Sequence, residues 1–204
     1  MIRIILAVDR GNAIGWKNGD LPWKIPADMK RFKELTSNST VVMGWSTYKS
    51  LNRPDGLPNR KNYVLTRRPY SELRGQFGNV NIISSLDYIK RLASVGCSLG
   101  AGCNEIGICY AAAVGAPEKC DAGVWIIGGA TIYDQVIEAE LVDEIYLTLV
   151  DDMSGADVIL QHDFSAWKLF VMQQAELGVY WKVDSIETPD STTPITFIKL
   201  SKFQ

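Results

Sequence analysis

Histidine is nearly absent: the 204 residues contain one, His162, beside Asp163 in a late polar stretch. A Ser-His-Asp hydrolase or a histidine-rich metal centre needs more than one isolated ring. Long hydrophobic runs are missing as well. No segment approaches the roughly 18 apolar residues of a spanning helix, so no membrane partner is expected. An excess of one charge is also lacking, because the formal net charge is −2. A duplex-binding protein carries a broad basic surplus, so no nucleic-acid partner is expected. There is no G-x-G-x-x-G run, which excludes the Rossmann dinucleotide fingerprint. Cysteines number four, and all fall in one stretch as Cys97, Cys103, Cys109 and Cys120. Their spacing lacks the close C-x₂₋₄-C pairs of zinc sites, so no metal site is expected. The opening MIRIILAV is short and soon meets Asp9 and Arg10, unlike a secretory signal. A cytoplasmic location with reduced thiols is the expectation.

What is present is an ordinary globular mixture, 47% apolar and 22% charged with 10% aromatic residues. A chain of this length buries a real core without a disulfide or metal staple. β-rich and helical runs alternate, which predicts an α/β sheet. Ile2–Val8 reads as a buried central strand. Gly11, Asn12, Gly15, Asn18 and Gly19 mark a long flexible loop. Pro26 suits a helix first turn, and Met29, Phe32 and Leu35 have helical spacing over residues 27–35. Strands are predicted at 41–43, 62–66, 80–84, 124–127 and 144–150. Helices are predicted at 45–51, at 85–95 with Ser85 as cap, and at 130–139. The C-terminal stretches 167–176, 179–183 and 196–200 read as antiparallel. No repeat or linker interrupts the chain, so one domain over 1–204 is expected. Residues 96–123 are Gly/Ala/Cys-rich and weakly periodic, and read as an inserted loop.

Several residues carry chemical potential. Asp28 lies one turn before Phe32 on the same face of a core-packing helix. A carboxyl at the edge of an apolar wall is desolvated and holds its proton more tightly. That suits proton delivery or a two-point hydrogen bond to a ring edge. An acid in a first turn also complements the helix dipole, so a plain structural role stays open. Trp23, in Leu21-Pro22-Trp23, suits a pocket cover with a usable N–H and also a hydrophobic plug, two compatible roles. The glycines from Gly11 to Gly19 give either a lid or a simple connection. Gly128-Gly129 follows the strand VWII and opens a helix, where backbone N–H groups attract phosphate. Residues 60–74 hold Arg60, Lys61, Arg67, Arg68 and Arg74 against Glu72. That strip suits a small polyanion, or it guards a solvated strand edge.

In order, LAVDR, LPW, PADMKRFK, VVMGWSTYKSL, LPNRKNYVLTRR, VWIIGGATIY and IYLTLV resemble dihydrofolate reductase over nearly the whole chain outside 96–123. The resemblance implies a mixed, mostly parallel eight-stranded sheet flanked by helices, with an antiparallel C-terminal strand. It implies NADPH-dependent reduction of 7,8-dihydrofolate to 5,6,7,8-tetrahydrofolate by a monomer. Asp28 matches the active-site carboxylate that holds the pterin and assists its protonation, with Trp23 and Thr148 beside it. Ile5, Ala7, Phe32, Leu51, Leu57 and Ile127 match pocket residues. Arg60 matches the partner of the folate tail carboxylate, and Arg53 a second tail contact. The cofactor positions are Ala7, Ile14, Gly15, Gly19, Trp45, Ser46, Thr47, Thr66, Arg67, Arg68 and the run Gly128, Gly129, Ala130, Thr131, Ile132 and Tyr133. The family has a cis peptide between its two glycines, and a loop matching 13–19 that closes over the nicotinamide.

The chain departs from the pattern in three places. Trp45 stands where many members carry a basic residue for the cofactor 2′-phosphate. Thr131 replaces an arginine common in bacterial members, so NADPH preference rests on Arg67 and Arg68. Asn59 replaces a usual glycine, and asparagine tolerates a left-handed turn. Two other readings keep the fold and change the role. One is a pyrimidine reductase of riboflavin synthesis, which needs neither Asp28 nor Arg60. The other is a binding or assembly protein with weak catalysis.

Overall fold

The computed structural model describes residues 1–95 and 123–203. The predicted insertion, except Gly123, and all four cysteines lie outside the described residues. The main sheet contains β1 (Ile2–Val8), β3 (Thr40–Gly44), β4 (Lys61–Leu65), β5 (Asn81–Ile83), β6 (Val124–Ile126), β7 (Glu144–Val150), β9 (Trp181–Glu187) and β10 (Ile195–Lys202). Their spatial order is β5-β4-β3-β6-β1-β7-β10-β9. All pairings from β5 across to β7 are parallel. β10 runs antiparallel to both β7 and β9. Two short strands, β2 (Ala13–Gly15) and β8 (Val158–Ile159), pair apart from the main sheet.

β1 is central because nearly every side chain on it is apolar and both neighbours are parallel. Such a strand needs cover on both faces. Ile2, Ile4, Leu6 and Val8 point into one core, shared with α4 (Leu86–Val95) and α5 (Ala130–Glu138). Ile5 faces the opposite core, shared with Phe32 and Leu35 of α1 (Pro26–Thr36) and Tyr48 of α2 (Trp45–Ser50). The exception is Arg3, which is buried. Its Nε donates to Glu144 Oε2 at 2.7 Å, and Lys199 Nζ lies 2.8 Å from Glu144 Oε1. This charged cluster joins β1, β7 and β10 beneath the apolar rows.

The helical and strand predictions match these elements to within a few residues, with four differences. Trp167–Glu176 is a helix, α6, and not an antiparallel strand. Phe170 is buried and Trp167 and Val171 pack beside it, while Leu169 and Met172 are 50% and 64% exposed. Apolar contacts at i, i+3 and i+4 follow the helical period, which alternation would not produce. Met29 does not join the core; it is 51% exposed, because its turn of α1 overhangs a cleft instead of the sheet. A short helix, α3 (Tyr70–Leu73), was not foreseen.

The fourth difference is the glycine-rich loop after β1, which is tied down at several points. Asp9 Oδ1 accepts from Gly11 and Ala13 N–H at 2.8 and 2.9 Å, and Oδ2 accepts from Ser154 N–H at 2.9 Å. Asn12, at φ 61°, is buried. Its Nδ2 donates to Leu160 O and His162 O at 3.0 and 2.9 Å, and its Oδ1 accepts from Phe164 N at 2.9 Å. β2 then pairs with β8. Asn12→Ala strands buried backbone groups and loses a residue type suited to positive φ. We expect a loss of about 2–4 kcal/mol, read as a lower urea midpoint at unchanged slope.

Candidate active site

The chain runs outward from β3 through β4 to β5, then returns to place β6 between β3 and β1. Open α/β sheets bind ligands at such reversals, beyond the carboxyl ends of the strands. Here Ala7, Gly44, Leu65 and Ile127, from the ends of β1, β3, β4 and β6, line a cleft of about 1190 Å³.

One end of the cleft is apolar around a single carboxyl. Ile5, Phe32, Leu51, Leu57 and Ile127 form its walls together with Asp28. Pro26 opens α1 and sets Asp28 in the first turn. Thr148 Oγ1 donates to Asp28 Oδ1 at 2.7 Å. Thr148 faces this side because β7 pairs it with Ala7 of β1. Burial raises the pKa of Asp28, and the Thr148 bond and the Arg31 charge only partly oppose it. Across the cleft, the buried Tyr133 hydroxyl donates to Ile5 O at 2.7 Å. Burial, with Asp28 adding to it, pushes that phenol far above its ordinary range.

The other end is built from backbone and cations. The peptide bond Gly128-Gly129 is cis, and Gly128 has φ +118°. Gly44 N–H donates to Gly128 O at 2.7 Å, which pins this turn to the end of β3. A Cβ on Gly129 would lie 3.2 Å from Thr47 Oγ1, so glycine permits this close approach. α5 starts directly after, with its first N–H groups at the cleft. Thr66 and Arg67 line the same end, and Thr66 Oγ1 accepts from Arg68 N–H at 3.1 Å.

The structure gathers most of the predicted residues here. Ile14, Gly15, Gly19, Trp45, Ser46, Thr47, Ala130, Thr131, Ile132 and Tyr133 all line the cleft. Five predicted residues stand outside its lining. Thr148 acts from behind Asp28. Trp23 does not cover a mouth; it is buried against Ile25, Val150, Ile195 and Phe197. Its indole N–H meets no partner among the described residues. Arg60 lies at the far end of α1, where Nε donates to Thr36 Oγ1 at 2.9 Å and Nη1 to Pro58 O at 2.8 Å. Its guanidinium carbon is 5.5 Å from the Phe32 ring, and Asn59 before it adopts φ 56°. Arg53 is exposed, and Arg68 sits at the rim with its guanidinium carbon 5.9 Å from the Trp45 ring. The sequence reading missed Arg31, which lies behind Asp28 and Thr148; its signal was the i, i+3 spacing from Asp28.

The dihydrofolate reductase family model matches residues 1–179. The chain belongs to the dihydrofolate reductase family. It is 34% identical over 175 residues to the dihydrofolate reductase of Bacillus subtilis strain 168, covering 85% of this chain and 84% of that one. Dihydrofolate reductase of Staphylococcus aureus is 28% identical over 200 residues, covering 98% of this chain and 96% of its own. A solved dihydrofolate reductase from Enterococcus faecalis, complexed with NADP(H) and an RAB-propyl ligand, has the same fold. Its TM-score is 0.68 at 23% identity, with 100% of this chain and 97% of that one covered. Lys49 Nζ and the Arg68 guanidinium carbon each lie 5.9 Å from the Trp45 ring.

Because burial raises the pKa of Asp28, its ionised form costs stability in the folded state. The cost is absent at low pH and appears as pH rises from the unfolded value of about 3.9 through the higher folded value. Relative to wild type, the melting temperature of Asp28→Asn should therefore rise with pH across that window and then level off. Thermal unfolding from about pH 4 to 8 reads this directly.

Proposed function

We propose that the chain is a cytoplasmic, monomeric dihydrofolate reductase that converts 7,8-dihydrofolate to 5,6,7,8-tetrahydrofolate with NADPH. The observation that carries this reading is one half-buried carboxyl, Asp28, set in an apolar wall and lining the same cleft as the glycine turn. A pterin is a flat ring with an amidine-like edge, and that wall and carboxyl complement it. The net charge of −2 favours a small-molecule partner over nucleic acid.

When bound, NADPH supplies the hydride. The residues present fit it. Gly44 and Gly128 are joined backbone to backbone, Gly129 leaves room beside Thr47, and α5 offers free N–H groups to a pyrophosphate. Thr66, Arg67 and Arg68 suit a phosphate monoester, since guanidinium pairs such groups in a fork. Trp45, Ser46 and Thr47 flank the same end. Ile14, Gly15, Trp16, Lys17 and Gly19 of segment 13–19 line the cleft, and the segment would exclude water there.

Asp28 accepts N–H groups of the pterin edge and assists the proton to ring nitrogen 5. Its raised pKa keeps more of it protonated than an exposed carboxyl would be. Thr148 holds it in place, and the Trp23 indole N–H is suited to a water bridging to the ring. Ile5, Ala7, Phe32, Leu51, Leu57 and Ile127 keep the ring dry. Arg60 has two of five N–H groups committed to Thr36 and Pro58, and the others suit the tail α-carboxylate. Arg53 is the second tail contact.

Purified protein should oxidise NADPH only when dihydrofolate is present, followed by NADPH absorbance. Asp28→Asn should retain its fold and lose about tenfold or more in kcat/KM. In wild type the rate should fall as pH rises through the Asp28 pKa, and the variant should lack that inflection. Turnover of Asp28→Asn near the wild-type rate would remove this residue from the reaction. Arg67→Ala with Arg68→Ala should weaken NADPH binding by about tenfold and leave NADH binding nearly unchanged. An equal loss for both nucleotides would give the strip another role.

A further inference from the structure

Arg31 takes no part in the cleft lining, yet it lies directly behind the carboxyl. It follows Asp28 by three residues on α1, so the two share a face. Its Nη1 donates to Leu147 O at 3.3 Å and to Thr148 Oγ1 at 3.4 Å. Its guanidinium carbon lies 4.3 Å from the Phe197 ring centroid and 5.7 Å from that of Tyr146. A guanidinium on two aromatic faces is held in place and stays charged.

The consequence concerns the Thr148 hydroxyl. A guanidinium has donors only, and a threonine hydroxyl has one proton and two acceptor sites. With Arg31 occupying the acceptor side, the Thr148 proton is directed to Asp28 Oδ1, 2.7 Å away. We propose that Arg31 is a positioning residue that fixes the direction of the chain Arg31–Thr148–Asp28, so that Oδ1 is always an acceptor and the exchangeable proton of Asp28 resides on Oδ2. The Arg31 contact is long, so the guanidinium works chiefly through its charge, which orients the hydroxyl dipole. Without it, the hydroxyl is free to turn and accept from a proton on Oδ1, and the carboxyl no longer presents its proton from one oxygen.

The charged and hydrogen-bonding groups around this chain come from six elements. Asp28 faces Arg31 on α1, Thr148 on β7 and Tyr133 on α5. Arg31 faces Asp28, Glu187 on β9 and Tyr146 on β7. Tyr146 in turn stands beside Glu144, Lys199 and Arg3. Among these, Arg31 is the cation that opposes the effect of burial on Asp28.

This inference rests on the reading of Asp28 as the proton-bearing group, but its first test needs no turnover. Asp28 is titrated by carboxyl ¹³C NMR in ligand-free protein, with the signal assigned by its loss in Asp28→Asn. Arg31→Met keeps the aliphatic length and removes charge and donors, so the Asp28 midpoint should move to higher pH. Arg31→Lys retains the charge without the fork and should move it less, and it serves if the Met variant folds poorly. The same Arg31→Met change made on Thr148→Val should shift Asp28 by clearly less than on wild type, because the hydroxyl that transmits it is gone. In turnover, the ratio of kcat/KM at pH 8 to that at pH 6 should rise about threefold or more in Arg31→Met. An Asp28 midpoint unmoved in both folded Arg31 variants would overturn the proposal. So would an equal shift with and without the Thr148 hydroxyl, which would leave only a through-space charge effect. Failure of wild type to reduce dihydrofolate would sink the proposed reaction and leave the NMR arm to decide the relay.

Discussion

The 2.7 Å bond from Thr148 to Asp28 joins a helix on one face of the sheet to a strand at its centre. A carboxyl placed in an apolar wall is costly unless something in the fold holds it. Here the hold depends on register. β7 sets Thr148 opposite Ala7 on one side and Phe197 on the other. A slip of one residue would turn Thr148 to the opposite face and leave Asp28 without its donor. Arg31 then stacks on Phe197 and reaches the same hydroxyl, so the antiparallel strand β10 contributes to the site without lining it.

The cleft thus has two ends built by different means. At the carboxyl end, side chains on α1, β1 and β6 form a dry wall and burial tunes one ionisable group. At the glycine end, backbone does most of the construction. Gly44 and Gly128 are hydrogen-bonded across the strand ends, and absent Cβ atoms allow Thr47 and Ile132 to approach. The loop after β1 also lines the cleft. Asp9 and Asn12 anchor its base to segments near Ser154 and Phe164, so its stiffness comes from residues far away in the chain.

Much of this was legible in the order of residues. Ile2–Val8 is apolar apart from Arg3 and does not alternate, which marks a strand covered on both faces. Pro26 marked the start of α1, and Asn59 could be expected in a left-handed turn, where it is found. The residues of the glycine turn and of the TRR strand end lie in short segments, so their chemistry could be read locally. Other features were hidden for the same reason. Trp167–Glu176 mixes β-branched, aromatic and helix-forming residues, and only the burial of Phe170 selects the helix. Met29 and Phe32 have the same helical spacing and both line the cleft, yet only Phe32 also packs against the sheet. Trp23 reads as a pocket cover and as a hydrophobic plug, and the fold packs it against Ile195 and Phe197.

What the sequence determined by itself was the set of elements, the family pattern and the residue types available for chemistry. These follow from periodicity, turn residues and local charge, which depend on neighbours within a few positions. What only the tertiary structure decided was which of those residues act on one another. Asp28 meets Thr148 across 120 positions, and Arg31 meets Thr148 across 117. Such contacts depend on strand order, register and the side from which a helix crosses the sheet. The direction of a hydrogen bond and the tuning of a carboxyl arise there because burial and long-range charge are properties of the folded chain.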